Sequence, residues 1–198
     1  MKKQLESYGL EFDELFYERC EKFITMLQDW GATHNFTSPK ALHRNEIEAN
    51  IIDSVYPLKF LNNFESFADI GTGAGYPGML IAIARPDIKC ALIEPKAKRV
   101  AFLNFVKNIL QLKNVEVIHK RAQDIPKKNY DLITSRAVTN TSLLLSLTTN
   151  LVHHDSEFLF YKGSLVDQEL EDIKMKNHEL HPFGEFRNYL YIKREGLF

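Results

Sequence analysis

Four glycines fall within the eight residues Gly71-Thr72-Gly73-Ala74-Gly75-Tyr76-Pro77-Gly78, directly after an apolar run that carries Asp69. Glycine permits positive φ and lets a backbone approach a ligand closely, amides first. Roughly 20 residues on, the interval a nucleotide-binding loop asks for, Glu94 closes a second apolar run, KCALIE. A carboxylate there can accept both hydroxyls of a ribose, each charge-assisted bond contributing ~1.5–3 kcal/mol. The plainer reading makes Glu94 a favourable charge at the start of the next helix, at ~0.3–1 kcal/mol. The two roles are compatible, and together loop and acid point to a nucleoside-containing ligand.

Two registers compete. Gly73-x-Gly75-x-x-Gly78 matches the dinucleotide fingerprint, which would make the chain a nicotinamide-dependent oxidoreductase. Asp69-x-Gly71-x-Gly73-x-Gly75 matches the acid-and-glycine loop of S-adenosylmethionine-dependent methyltransferases. A pyrophosphate needs free amides at a helix start; Pro77 removes one, and Asp69 adds a negative charge beside it. A donor that is a cationic amino acid with a sulfonium suits that charge, so the methyl-donor register is the favoured expectation.

The elements that must hold these residues follow from hydrophobic spacing. Strands are expected at 66–70, 89–94, 115–119, 130–136, 157–162 and near 187–193, alternating with helices at 77–84, 97–111, 141–151 and 165–176. That alternation implies βαβ units around a mainly parallel sheet, with right-handed crossovers placing helices on both faces. Ligands of such sheets bind beyond the carboxyl ends of the strands. Upstream, apolar residues from Phe12 to Trp30 keep helical spacing, with Gly31 as the expected stop. A second helix is expected over 43–61, interrupted by Pro57. Residues 1–65 are expected to be a helical extension and 66–198 a Rossmann-like core, the two forming one compact unit.

Composition narrows the class. The 198 residues are 44% hydrophobic and 26% charged, which excludes collagen-like and disordered chains. No apolar run reaches the ~18 residues of a membrane span, and the opening MKKQLESYGLEFDEL lacks the apolar segment of a secretory leader. Cys20 and Cys90 are the only cysteines, against a disulfide framework or a cysteine zinc site and in keeping with the cytoplasm. His153-His154 is the only close histidine pair, and no metal site is expected from it. Net charge is -1, but residues 66–136 hold 12 Lys/Arg against 6 Asp/Glu, while 1–65 hold 7 against 11 and 137–198 hold 6 against 9. A basic middle between acidic flanks can mark a polyanionic partner; charge alone favours a solvated surface.

Further motifs make a resemblance specific. His34-Asn35-Phe36-Thr37-Ser38, Ile51-Ile52-Asp53-Ser54, FADIGTGAGYPGMLIAIARPD (67–87), Lys98-Arg99-Val100-x-Phe102-Leu103, Ser135-Arg136-Ala137 and Tyr161-Lys162-Gly163 resemble, in order, the signatures of the RsmG (GidB) family. The likeness runs over roughly residues 5–195. Asn50 stands where the family usually has His, and Glu94 where Asp is commoner.

The resemblance implies a Rossmann-like methyltransferase fold, mostly parallel with an antiparallel strand near the C-terminus. It implies transfer of a methyl group from S-adenosylmethionine to N7 of a guanine in 16S ribosomal RNA, giving 7-methylguanosine. The implied partner is 16S ribosomal RNA or a precursor of the small subunit, met in the cytoplasm by a monomer, with no membrane and no metal. Other readings are a methyltransferase for another substrate, the oxidoreductase, or a non-catalytic ribosomal RNA binder.

The expected donor contacts are Asp69, Gly71, Gly73, Gly75, Tyr76, Glu94, Arg136, and Ala122 and Gln123, which by analogy of fold flank an adenine. Arg136 and Lys162, each ending a strand, are expected to position the substrate. Lys96, Lys98, Arg99 and Arg121 are expected to hold RNA phosphates. No general base is expected, because guanine N7 offers a lone pair and has no proton to lose; alignment supplies the rate.

Overall fold

The computed structural model describes residues 1–34, 37–173 and 178–193. Seven helices are described: α1 (Lys2–Ser7), α2 (Glu14–His34), α3 (Arg44–Val55), α4 (Gly78–Ala84), α5 (Ala97–Ile109), α6 (Thr141–Leu147) and α7 (Val166–Ile173). The strands are β1 (Ser66–Ile70), β2 (Lys89–Ile93), β3 (Val115–Ile118), β4 (Tyr130–Arg136), β5 (Val152–Lys162), β6 (His178–Phe183) and β7 (Arg187–Lys193). They form one sheet in the order β3-β2-β1-β4-β5-β7-β6. The first five are parallel; β7 runs antiparallel to β5, and β6 antiparallel to β7.

Both faces of the sheet are buried. Phe67, Leu92, Leu132, Leu159 and Tyr161 belong to one apolar cluster; their neighbours Ala68, Ile93, Ile133, Phe158 and Phe160 belong to the other. This is the period of two that places successive side chains on opposite faces. The first cluster also takes in Phe23 and Leu27 of α2, Ile47 and Ile51 of α3, and Met79 of α4. The second is closed by Leu144 of α6 and Leu170 of α7. The amphipathic N-terminal helices therefore cover one sheet face directly.

Two expectations about helix ends need correction. Asp13 caps α2, its Oδ1 accepting from the Phe16 amide at 2.8 Å, but Gly31 does not stop it: the helix continues to His34. A Cβ at Gly31 would stand 2.4 Å from Leu42 Cδ2, so the glycine makes room for the turn at 40–42. Pro57 acts as expected, with α3 ending at Val55 and a single 3-10 turn following. Asn35 and Phe36 of the first family motif, and residues 174–176 of the last expected helix, lie outside the described residues.

From β1 the chain steps outward through β2 and β3, then returns to the other side of β1 at β4. The direction of winding reverses between β1 and β4, and a crevice opens there at the carboxyl edge. The glycine loop leaves the end of β1, and Arg136 ends β4, so both stand at that crevice.

Candidate active site

Glu94 organises the glycine loop. Its Oε2 accepts from the Gly73 amide at 3.0 Å, its Oε1 from the Lys96 amide at 2.9 Å, and Arg99 Nη1 lies 3.5 Å away. The Gly71 and Thr72 amides donate to Ile93 O, tying the loop to β2. Gly71 and Gly73 take φ of +66° and +61°. A Cβ at Gly73 would meet nothing nearer than Arg99 Nη1 and Gly71 O, both at 3.8 Å, so the loop is open on that side. Open space beside a left-handed glycine is what a backbone cradle for a ligand requires.

Asp69 is placed differently from the expected donor contact. It is fully buried; Oδ2 accepts from the Gly78 amide at 2.9 Å and Oδ1 from the Thr134 hydroxyl at 2.8 Å. It stands beneath the loop, joining the start of α4 to β4. Burial pushes its carboxyl up from 3.8 to about 6, against these hydrogen bonds and the charge of Arg136. An acid raised in the folded state adds stability that is present below its unfolded pKa and lost as pH rises through the folded one. The stability of the natural protein relative to Asp69→Asn should therefore fall by about 2 kcal/mol between pH 4 and pH 7. Urea unfolding of both proteins across that range measures it, and a flat difference would contradict the buried placement.

Three cavities meet at the crevice. One of about 270 Å³ is lined by Asn50, Gly73, Tyr76, Arg99 and Arg136 among others, and one of about 440 Å³ by Glu94, Lys96, Arg121, Ala122 and Gln123. Gly71, Arg99 and Ala137 line both. A third, of about 200 Å³, lies over the ends of β4 and β5 and shares Ala137 with the other two. Of the expected donor residues, Gly71, Gly73, Tyr76, Glu94, Ala122, Gln123 and Arg136 line the first two cavities. Gly75 lies behind the loop, where a Cβ would meet Met79 at 2.9 Å.

Arg136 is held from within the protein. Nη1 donates to Asn50 Oδ1 at 2.8 Å and to Asp53 Oδ2 at 3.0 Å, and the guanidinium lies over the Tyr76 ring at 4.7 Å. Asp53 also takes a two-pronged bond from Arg187, at 2.8 and 3.0 Å, and a bond from the Tyr189 hydroxyl. Asn50, at the family's histidine position, is thus a neutral acceptor that orients Arg136. Arg136 Nε and Nη2 have no partner among the described residues.

Lys162 is buried at the third cavity, where Nζ donates to Glu169 Oε2 at 2.7 Å and to Thr139 O at 3.3 Å. Among the four cations expected to face RNA, Lys96, Lys98 and Arg121 are exposed, and Lys96 and Arg121 line the cavity that holds Glu94. Arg99 instead pairs with Glu94 between the two donor-side cavities. Sequence reasoning assigned no role to Asn50, Asp53, Glu169 or Arg187. Asp53 was visible only as part of the IIDS motif, and Glu169 and Arg187 carried no signal.

Elsewhere, a larger cavity of about 820 Å³ opens at the amino edge of the sheet. Of the cations that line it, Arg85 and Lys128 are paired with Asp87 and Glu116, Lys89 and Lys113 are the others, and it contains none of the expected site residues. His153, His154 and Asp155 bring ligand atoms within 4.8 Å of one another at that same edge, away from the crevice. No helix among the described residues is long and apolar enough to cross a membrane.

The same architecture is found in solved methyltransferases. The chain is similar to a SAM-dependent methyltransferase from Aquifex aeolicus, with a TM-score of 0.62 at 18% identity over 83% of this chain and 97% of that one. It is also similar to M. jannaschii TYW2 in complex with AdoMet, with a TM-score of 0.59 at 16% identity over 76% and 75%. The fold is thus that of the Rossmann-like, S-adenosylmethionine-dependent methyltransferases, as expected.

The profile of one family, rRNA small subunit methyltransferase G (GidB), matches residues 17–186. "Ribosomal RNA small subunit methyltransferase G" of Aliarcobacter butzleri is 52% identical over 98% of both chains, and that of Wolinella succinogenes 44% identical over 96% of both. The protein of the same name from Helicobacter pylori is 39% identical over 89% of this chain and 97% of its own. The chain belongs to this family.

Proposed function

We propose that the protein transfers a methyl group from S-adenosylmethionine to N7 of a guanine in 16S ribosomal RNA, acting in the cytoplasm as a monomer on the RNA or a small-subunit precursor. The observation that carries this reading is the pair of joined cavities, with Glu94 and the glycine loop in one wall and Arg136 at the end. Apolar Ile93, Ala122 and Val138 beside Glu94 suit an adenosine, and the polar cavity by Gly73 and Arg136 suits an amino-acid end. S-adenosylmethionine supplies an electrophilic methyl group carried on a sulfonium.

The chain's own residues bind and align. Glu94 Oε1 keeps a lone pair beyond its bond from the Lys96 amide, Oε2 gains one if the long 3.5 Å contact with Arg99 gives way, and the carboxylate can then accept the ribose hydroxyls. The open face at Gly73 admits the donor against the backbone. Arg136, fixed by Asn50 and Asp53, directs its remaining donors into the crevice. No group is placed as a base, and none is needed at N7. Such alignment can contribute up to ~7–11 kcal/mol to lowering a barrier. A guanine within an A-form helix presents N7 in a deep, narrow groove, so the target must be single-stranded or splayed out. The division into an extension of 1–65 and a core of 66–198 is kept as part of this reading, with the extension forming one wall of the donor cavity through Leu27 and Asn50.

Nucleoside mass spectrometry of 16S ribosomal RNA from cells with and without the gene tests the proposal. Loss of one 7-methylguanosine on deletion is expected; an unchanged nucleoside profile would refute it. RNA binding should also depend on salt. Each phosphate contact with a single strand contributes a slope of about 0.7 in log affinity against log salt, so three contacts lose roughly 20-fold between 50 and 200 mM. Titrations of RNA and of donor at both salts separate this from a general effect. Donor affinity should barely move, and a flat RNA curve would leave Lys96, Lys98 and Arg121 as solvated surface.

A further inference from the structure

We propose that the cavity over the ends of β4 and β5 is the reading pocket for the target guanine, with Glu169 and Lys162 recognising its Watson–Crick edge. This rests on the guanine-N7 reading above and adds to it the residues that select the base.

The cavity measures about 200 Å³ and is lined by Ser135, Lys162, Gly163, Glu169 and Arg187 among others. It adjoins both donor-side cavities at Ala137. Ala137 takes φ of +55°, unusual for a residue with a side chain, and lines all three. A base in the third cavity therefore lies beside Ala137, next to the cavities on the donor side.

The chemistry inside matches guanine. Glu169 Oε2 accepts three bonds: from Lys162 Nζ at 2.7 Å, the Thr141 amide at 2.9 Å and the Thr141 hydroxyl at 2.8 Å. Oε1 takes none among the described residues. The desolvation of Glu169 is outweighed by the bonds from Lys162 and Thr141, which hold its carboxyl below the usual range and keep it an acceptor at neutral pH. Lys162 makes two of the three hydrogen bonds an ammonium can donate. A cation beside an ionised acceptor complements an edge with an acceptor beside donors, which is O6 beside N1–H and the 2-amino group. Adenine reverses that order, presenting a donor to the lysine and a lone pair to the carboxylate. N7 lies on the opposite side of the ring system from N1 and the 2-amino group. A guanine held by Glu169 therefore turns N7 away from it, toward Ala137 and the donor.

Inosine lacks only the 2-amino group and so tests the contact. The modified position is first located by mass spectrometry of 16S ribosomal RNA methylated by the natural protein. Guanosine or inosine is then placed there by splinted ligation, and the RNA is presented in the form that supports transfer. The natural protein should methylate the inosine substrate at least ~10-fold more slowly, as for loss of a bond to a charged group. Glu169→Gln should slow transfer to guanosine and shrink the guanosine-to-inosine ratio to under ~3-fold. Calorimetric donor affinity should remain within about 2-fold, since Glu169 lines neither donor cavity. A merely structural role, in the tie to Thr141 and Lys162, would slow both substrates alike and leave the ratio unchanged. An unchanged ratio in Glu169→Gln, or equal rates for the two substrates with the natural protein, would overturn the proposal. If Glu169→Gln does not fold, the natural protein's guanosine and inosine rates decide alone. Absence of 7-methylguanosine from any RNA treated with the natural protein would instead overturn the underlying reading.

Discussion

Arg136→Ala is expected to slow methyl transfer 10-fold to 1000-fold, about 1.4–4 kcal/mol on the barrier. The residue ends β4 at the crevice, lines the cavity beside Gly73, and is held by Asn50 and Asp53 with its remaining donors unpartnered among the described residues. Those donors can engage the donor's carboxylate or an acceptor of the target nucleotide. Arg136→Lys should recover only part of the loss, because an ammonium lacks the planar fork that can bond Asp53 and a ligand at once. The fold should survive Arg136→Ala, since Arg187 and Tyr189 still satisfy Asp53. Single-turnover rates of the three proteins, with circular dichroism as a check on folding, measure the effect. Natural rates in Arg136→Ala would remove the residue from the site.

Asp53→Ala is expected to lower stability by about 3–5 kcal/mol, the range for breaking a buried ion pair from one side. The asymmetry with Arg136 is instructive. Removing Arg136 takes away one of two cations around a carboxylate, whereas removing Asp53 takes the shared carboxylate from both guanidiniums, leaving Arg136 only Asn50 and Arg187 only the Lys162 carbonyl. The residue is only 8% exposed, so water replaces little of what is lost. Adding Arg136→Ala to Asp53→Ala should then cost less than Arg136→Ala alone, because an unpaired charge leaves with it. Urea unfolding of the four proteins in the cycle measures this coupling. Strictly additive losses would mean that Asp53 and Arg136 do not act on one another.

The parallel sheet was legible because its strands are short apolar runs between helical spacings and punctuating glycines. The edge strand β6 was not. HELHPF alternates polar and apolar groups on an exposed edge, and Pro182 reads as a break although an edge strand tolerates it. Gly31 misled for a related reason: its tight contact with Leu42 is tertiary, and a glycine tolerated inside a helix looks like one that ends it. At the site, Asp69, Glu94 and the loop glycines announced themselves by spacing, but spacing does not orient a side chain, and Asp69 faces Thr134. The Arg187–Asp53 pair joins residues 134 apart in sequence. Asp53 showed only within its motif and Arg187 carried no signal, and neither position pointed to the other.

Methyl transfer at the crevice can be measured most directly with the purified protein, S-adenosylmethionine labelled in its methyl group, and 16S ribosomal RNA both free and in the small subunit. Digestion to nucleosides followed by mass spectrometry locates the label. It should appear in 7-methylguanosine with the natural protein and vanish with Gly73→Val, whose side chain would enter the open face of the loop from a strained, left-handed backbone. Label in a different nucleoside, no label in either form of the RNA, or undiminished label with a folded Gly73→Val protein would contradict this assignment of donor, crevice and base.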